Sequence, residues 1–401
     1  MNSAKVLVGK KQQPVIKQTG GPQGPLDAAF GPLLTIMDGK SNGVNNGNLS
    51  LQAYLTRVTQ VRLKLQQVTT APDPQAMTQM LAQTVFQGKA VDLTDTRDYG
   101  SLVAASLGQE WSGFGKAMFV EPMELAWRQV LQPAAGSLNA QWQSTVVNQW
   151  DTSFAGRYPF ASTGSDASLP VVAQYLRSDS GRISQFLKTQ LGGILHQEGN
   201  RWVPDAITSQ GLTFNPAFLD AINQLGQLSD IVFAEGDAGL RFELMARPSK
   251  NVVRTQLAVD GQNLDYFNQM ESWQSFKWPG NSYYPGVQLS WRSVSSGMQL
   301  FGDFSGNWGL IRLLEKAQVT QLDSSRYQLV WKTPDGLPLK YILRTEMSNG
   351  PLALLALRNF SLPKKVFLDD APVSSVVAAE PGSILTDDQD IPAGTGSAGD
   401  D

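Results

Sequence analysis

Apolar residues recur at helical spacing through the first part of the chain and at strand spacing through the second, with the change of period near Gly239. In SLQAYLTRVTQVRLKLQQV, the positions Leu51, Tyr54, Leu55, Val58, Val61, Leu65 and Val68 repeat at three and four residues, which predicts a helix capped by Ser50. Further helices are predicted over Pro74 to Gln87, stopped by Gly88, over Met123 to Leu131, and over Asn139 to Phe154. GRISQFLKTQL and NPAFLDAINQLGQLSDIVF complete the helical set, the second with Asn215 as its cap and Pro216 in its first turn.

From there on the period is two. Phe242, Leu244 and Ala246 alternate with polar neighbours, as do Val253, Thr255, Leu257 and Val259, then Val287, Leu289 and Trp291, Tyr327, Leu329 and Trp331, and Leu339, Tyr341 and Leu343. Asp260-Gly261 and the DG of TPDGLP are turn dipeptides between such runs, and PLALLALRNF reads as a last apolar strand. The pattern predicts an α+β multidomain chain: an N-terminal α-helical region followed by a C-terminal β-sandwich with one packed helix. The expected divisions are an extended lead-in over 1–30 and a helical region over 31–236, either one unit or two with a break near 135–165. A β-sandwich docking domain over 237–368 and an acidic flexible tail over 369–401 follow.

One stretch interrupts the strands. GDFSGNWGLIRLLEKAQV places Gly302, Gly306 and Gly309 ahead of an amphipathic helix, as a phosphate-cradling loop would. That chemistry also needs a Lys for the phosphate charge and a Ser or Thr for magnesium, and no Lys-Ser/Thr follows. Leu310, Leu313, Leu314 and Ala317 fall on one face, so the segment reads as a helix packed on a sheet, with Gly306 and Gly309 allowing close approach beside Trp308. Arg312, Glu315 and Lys316 are expected to face away. Gly39-Lys40-Ser41 has Leu34 where the first glycine belongs and no following helix, and reads as a loop; Gly115-Lys116-Ala117 fails because Glu110 and Ala117 occupy the required positions.

Composition narrows the function classes. The 401-residue chain is 41% hydrophobic and 17% charged, with a net charge of -3, which is globular and gives no basic footprint for nucleic acid. Cysteine is absent, which removes thiolate metal sites, disulfides and cysteine nucleophiles and suits the periplasm. The single histidine, His196, sits in LHQEGNRW, a polar turn, and reads as a solvated loop residue; serine-hydrolase and histidine-metal arrangements have nothing to build on. Glu121 with Glu124, and Asp369 with Asp370, are carboxylate neighbours with no cleft implied. No apolar run approaches the ~18 residues of a membrane-spanning helix, and MNSAKVLVGKKQQP lacks a signal-peptide core. No catalytic residue, metal ligand or cofactor is assigned, and the chain is expected to be no enzyme.

The richest local signal is aromatic. ESWQSFKWPGNSYYPGVQLSW gathers Trp273, Phe276, Trp278, Tyr283, Tyr284 and Trp291, and its Gly/Pro loop cannot bury both tyrosines. Exposed loop aromatics are interface material or sugar-stacking platforms. The candidate partner-binding residues are Trp278, Tyr283 and Tyr284, with Asp260 and Asp335 in the neighbouring turns.

Several phrases then resemble one family. GRYPF from Gly156, followed by Asp166-Ala167, VDGQNLDYFN from Val259, WPG at Trp278, and GNWGLIRLLEKA from Gly306 resemble, in order and spacing, the IcmF/TssM proteins of bacterial type VI secretion over roughly Gln141 to Phe367. Gly309 and Ile311 depart from the more usual Ala and Phe. The resemblance implies a periplasmic segment of an inner-membrane protein that reaches toward the outer membrane and binds the lipoprotein TssJ. It also implies assembly with TssL into a ring-like oligomer. Family members carry N-terminal transmembrane helices and often a cytoplasmic NTPase-like region; neither is in this sequence, so Met1 is expected to begin a fragment. The competing reading is a peptidoglycan- or carbohydrate-binding module that uses the loop aromatics, and a third is an unrecognised hydrolase.

Overall fold

The computed structural model describes residues 4–8, 14–18, 25–38, 49–89, 91–209, 211–234, 239–346 and 348–368. The Gly39-Lys40-Ser41 loop and the acidic tail lie outside these residues. In the stretch read as an extended lead-in, β1 (Ala4–Val8) and β2 (Pro14–Gln18) pair antiparallel, with Ala4 opposite Gln18, and α1 (Pro25–Asp38) follows. Both strands carry aliphatic and β-branched runs, KVLV and PVI, which favour pairing.

The helical region begins as its periodicity predicts. In α2 (Leu51–Thr69) the Ser50 hydroxyl accepts from the Ala53 amide at 3.1 Å, and Tyr54, Val61 and Val68 are buried. Asp73 caps α3 (Pro74–Phe86), which ends at Gly88 with φ of +78°. The next helix, α4 (Asp92–Ser106), has no apolar stripe to announce it. Its buried face consists of Leu93, Thr96, Arg97, Gly100 and Val103, and a Cβ at Gly100 would strike the Phe119 carbonyl.

A near-continuous helical run follows where two separate helices were expected. It passes through α5 (Ser112–Gly115), a π turn at Lys116–Val120, α6 (Glu121–Trp142), a second π turn at Gln143–Val147 and α7 (Asn148–Phe154). Pro133 stands inside α6. It removes one backbone donor, but Val130, Leu131, Ala134, Ala135, Leu138 and Trp142 carry the buried stripe straight across it, so packing overrides the local breaker.

After α8 (Leu169–Leu176) and α9 (Arg182–Gln190), a hairpin forms from β3 (Leu195–Glu198) and β4 (Arg201–Pro204), and α10 (Pro216–Val232) starts on Asn215 as read from the sequence. His196 therefore lies in a strand rather than in a turn, opposite Val203. Among the described residues no helix is long and apolar enough to cross a membrane.

The strands that follow are β5 (Leu240–Arg247), β6 (Val252–Val259), β7 (Gln262–Tyr266), β8 (Gln274–Trp278), β9 (Gly286–Ser293) and β10 (Met298–Ser305). Then come α11 (Gly309–Glu315), β11 (Gln318–Gln321), β12 (Arg326–Lys332) and β13 (Pro338–Thr345). They form two antiparallel sheets, ordered β10-β9-β6-β7 and β11-β12-β13-β5-β8. Alternate residues of β5, β9, β12 and β13 face inward, as the period of two requires, while β10 is largely exposed; Leu240, Phe242, Leu244 and Ala246 of β5 are all buried.

The last apolar run is not a strand. Gly350–Leu357 forms a 3-10 helix, with Leu352, Leu354 and Leu357 buried. A continuous apolar run carries no period that separates the two outcomes, and Gly350 with Pro351 at its head favours the helical turn. The chain then returns to the helical region. The Asn139 amide group donates to the Phe367 carbonyl and accepts from the Val366 and Phe367 amides, Trp142 donates to the Pro363 carbonyl, and Phe367 packs on Phe86. Most of the helices share a hydrophobic core with the sandwich, and Ile36, Tyr54, Val103, Leu107 and Phe119 form a second, smaller cluster.

Candidate interaction loop and the joint beneath it

The helix α11 is held by the residues in front of it. Gly306 has φ of +90°, and a Cβ there would collide with the Asp166 carboxylate; a Cβ at Gly309 would collide with the Phe304 carbonyl. Trp308 is buried and donates from Nε1 to the Ala167 carbonyl at 2.8 Å. The Gly306 amide is spent on the Pro285 carbonyl and the Gly309 amide on Gly306, so no cluster of free N–H groups faces an anion. Leu310, Leu313 and Leu314 are buried as their spacing predicts.

Arg312 does not face away, whereas Glu315 and Lys316 are exposed as expected, although Glu315 also takes a partner. Arg312 lies 2.6 Å from Asp166 Oδ1 and stacks its guanidinium 3.8 Å from the centre of the Tyr158 ring, while the Tyr158 hydroxyl donates to Glu315 Oε2 at 2.8 Å. Burial, reinforced by that bond to Glu315, pushes the Tyr158 hydroxyl well above the usual phenol range. The phrases GRYPF, Asp166-Ala167 and GNWGLIRLLEKA, separate in sequence, thus meet in a joint between the helical region and the sandwich. Sequence reasoning registered them only as a resemblance; nothing in their local pattern says that Arg312 pairs with Asp166.

Above this joint stands the aromatic loop between β8 and β9. Asp260, buried and left-handed at φ of +48°, opens the β6–β7 turn with Gly261 at +81°. Its two carboxylate oxygens accept from the Gly280 and Gly286 amides, each at 2.9 Å, and so clamp both ends of the loop. Gln262 ties the neighbouring strand by donating to the Lys277 carbonyl and accepting from its amide. At the loop's tip the Ser282 hydroxyl donates to the Tyr284 carbonyl. Tyr283 and Tyr284 are 88% and 82% exposed and meet edge to face with ring centres 4.9 Å apart.

The five candidate residues do not form one surface. Trp278 is fully buried against Trp308 and donates from Nε1 to the Asn307 carbonyl, so its ring anchors the loop from beneath and offers no contact area. Asp260 is buried as the clamp just described. Asp335 is exposed, but β13 runs from its turn past Arg247 at the far end of β5, whereas Leu240 at the near end of β5 pairs with Trp278. It therefore lies at the opposite end of the sandwich. Beside the root of the loop is a cleft of about 790 Å³, lined by α8 residues, Arg177 and Arg182 on one side and by Pro279, Gly280 and Asn307 on the other. Sequence gave no sign of it, because it needs the helical region brought against the loop.

Comparison with known proteins places these features in context. The family model for the type VI secretion protein IcmF helical domain matches residues 133–238, and that for the IcmF C2-like domain matches residues 242–347. The chain is similar to a solved type VI membrane complex protein at 56% identity and a TM-score of 0.75, covering 86% of this chain and 72% of that one. It is similar to the C-terminal domain of the T6SS protein TssM from EAEC at 51% identity and a TM-score of 0.57, covering 59% of this chain and 99% of that one. It is 27% identical over 236 residues to type VI secretion system component TssM1 of Pseudomonas aeruginosa strain PAO1. The match takes in 57% of this chain and spans about a fifth, 21%, of that curated relative.

Proposed function

The chain belongs to the IcmF/TssM family of type VI secretion membrane-complex proteins, and from that premise we propose that it is a non-enzymatic periplasmic scaffold whose β-sandwich docks the outer-membrane lipoprotein TssJ through the Tyr283–Tyr284 loop. In this reading the helical region carries the sandwich toward the outer membrane, and the chain assembles with TssL and further copies of itself into a ring-like complex. The observation that carries the docking assignment is the loop itself: two almost fully exposed tyrosines on a segment clamped at both ends by the buried Asp260. A loop ordered before binding loses little entropy on docking. Asp260 and Trp278 hold the loop without touching the partner, and Asp335, at the other end, takes no part.

The test is a Tyr283→Ala, Tyr284→Ala double variant measured by calorimetry against the lipoprotein. Aromatic anchors are worth about 2 kcal/mol each when truncated, so affinity is expected to fall at least ~10-fold with an unchanged circular dichroism spectrum. Unchanged affinity would remove the loop from the interface. A second reading, glycan binding by the loop aromatics, is favoured by the cleft at the root of the loop, where Gln174, Asn307 and two guanidinium groups offer polar partners. Co-sedimentation with purified peptidoglycan that is lost in the same variant would select it.

A further inference from the structure

The end of the sandwich remote from the aromatic loop carries three apolar side chains that the fold does not use. Phe267 follows β7, Met270 lies in the β7–β8 connection and Val294 lies in the β9–β10 turn; they are 60%, 90% and 70% exposed. The ladder brings them together. Val252 at the start of β6 pairs with Ser293, the Val294 amide donates to the Asn251 carbonyl at 3.1 Å, and the Asn268 side chain donates to the Val252 carbonyl at 3.3 Å. Phe267 and Val294 therefore flank the first residue of β6 from either side. Asn251 and Asn268, both left-handed at φ of +66° and +68°, turn the backbone at this tip.

The charge around the tip is positive. Its carboxylates Glu271 and Asp265 are each tied to an arginine, Arg247 and Arg254, and Asp335, in the β12–β13 turn at the same end, is outnumbered by the exposed Lys332, Lys250 and Arg292. Lys250 and Arg292 are exposed on the intervening turn and strand, and neither has an ion-pair partner among the described residues. The apolar side chains stand out from separate convex turns. A folded partner would have to supply a recess for each side chain and a carboxylate for each cation, whereas a bilayer supplies apolar depth and diffuse negative charge together.

We propose that this tip docks on an anionic bilayer surface, with Phe267, Met270 and Val294 entering the boundary between headgroups and acyl chains while Lys250 and Arg292 remain at the phosphates. It uses none of the residues of the aromatic loop, so the two assignments stand or fall separately. The experiment is flotation of the full chain with phosphatidylcholine vesicles, with and without phosphatidylglycerol. Retention on the anionic vesicles is expected. It should weaken at least ~5-fold on pure phosphatidylcholine or in high salt, since each cation near a charged surface counts for about that factor.

A Phe267→Ser, Met270→Ser variant should lose retention at least ~10-fold, given the apolar area withdrawn, with an unchanged circular dichroism spectrum. The Tyr283→Ala, Tyr284→Ala variant should float like the parent. No retention of the parent on anionic vesicles, or equal retention of the serine variant, overturns the proposal. So does a concentration-dependent dimer in sedimentation equilibrium that the serine variant abolishes, which would make the tip a contact between copies.

Discussion

Replacing Arg312 and Asp166 separately and together tests the joint on which the loop stands. The pair is closed at 2.6 Å with side chains 18% and 26% exposed, so it lies between a surface ion pair, worth about 0–1 kcal/mol, and a buried one, whose breaking costs about 3–5 kcal/mol. A coupling energy of about 1–2 kcal/mol is expected between the two sites. Arg312→Ala also loses the contact with Tyr158, which adds about 1 kcal/mol, so that variant should be less stable by about 2–3 kcal/mol in all. The sequence pattern implied a solvent-facing Arg312 that would accept a carboxylate. The structure reverses that expectation, because Arg312→Asp would set a negative charge against Asp166 and beside Glu315. Urea unfolding followed by tryptophan fluorescence provides the readout, since Trp308 lies within the joint. A coupling below about 0.3 kcal/mol, the error of additivity for independent sites, would show that the pair is ornamental and that the apolar core alone joins sandwich to helices.

Leu313→Asp should cost more than Arg312→Ala in the same assay, at least about 4 kcal/mol, because it buries an unpaired carboxylate on the sheet-facing side of α11; equal stability of the two would mean the helix face is misassigned. Stability should fall as pH rises above about 10: the Tyr158 and Tyr341 hydroxyls are held protonated in the fold by burial, so the unfolded chain loses those protons first and is favoured. Tyr341→Phe should flatten the alkaline slope of the melting temperature, and an unchanged slope would assign it elsewhere. Asp260→Ala should speed hydrogen exchange at the Gly280 and Gly286 amides and weaken lipoprotein binding, though it touches no partner; tight binding with a loosened loop would refute pre-organisation.

What could be read from the sequence follows from what each element asks of its own residues. Helix α2 needs an apolar stripe and a cap, both local, and Ser50 through Val68 provide them. The buried face of α4 is built from Thr96, Arg97 and Gly100, chosen by the neighbours that press on them, so its pattern looked polar. Strands β5, β6, β12 and β13 were legible because one face of each meets the opposite sheet, whereas the run after Gly350 is apolar at every position, the exposed Ala356 included, and so carried no period. At the candidate site the exposure of Tyr283 and Tyr284 followed from Gly280 and Pro285 in the loop. The burial of Asp260 did not, since a DG turn normally keeps its carboxylate in water; here two amides from a loop 20 and 26 residues away claim it. Arg312 and Asp166 are 146 residues apart, and only the assembled joint shows why both are charged.

That joint also bears on how the chain divides. The two family matches end at residues 238 and 347, yet the segment after 347 belongs to neither sheet. Its 3-10 turn packs Leu352, Leu354 and Leu357 into the common core, and its last residues supply the partners of Asn139 and the acceptor for Trp142 on α6. A chain cut at residue 347 would leave the Asn139 amide group and the Trp142 indole without these bonds and would strip Phe367 from Phe86 and Phe214. Each buried polar group left unpaired costs about 1–3 kcal/mol, and the lost ring a few more, which together approach the whole stability of an ordinary domain. The segment that returns from the sandwich to the helices thus adds a second set of contacts between the two recognisable parts, beside those at Trp308 and Arg312.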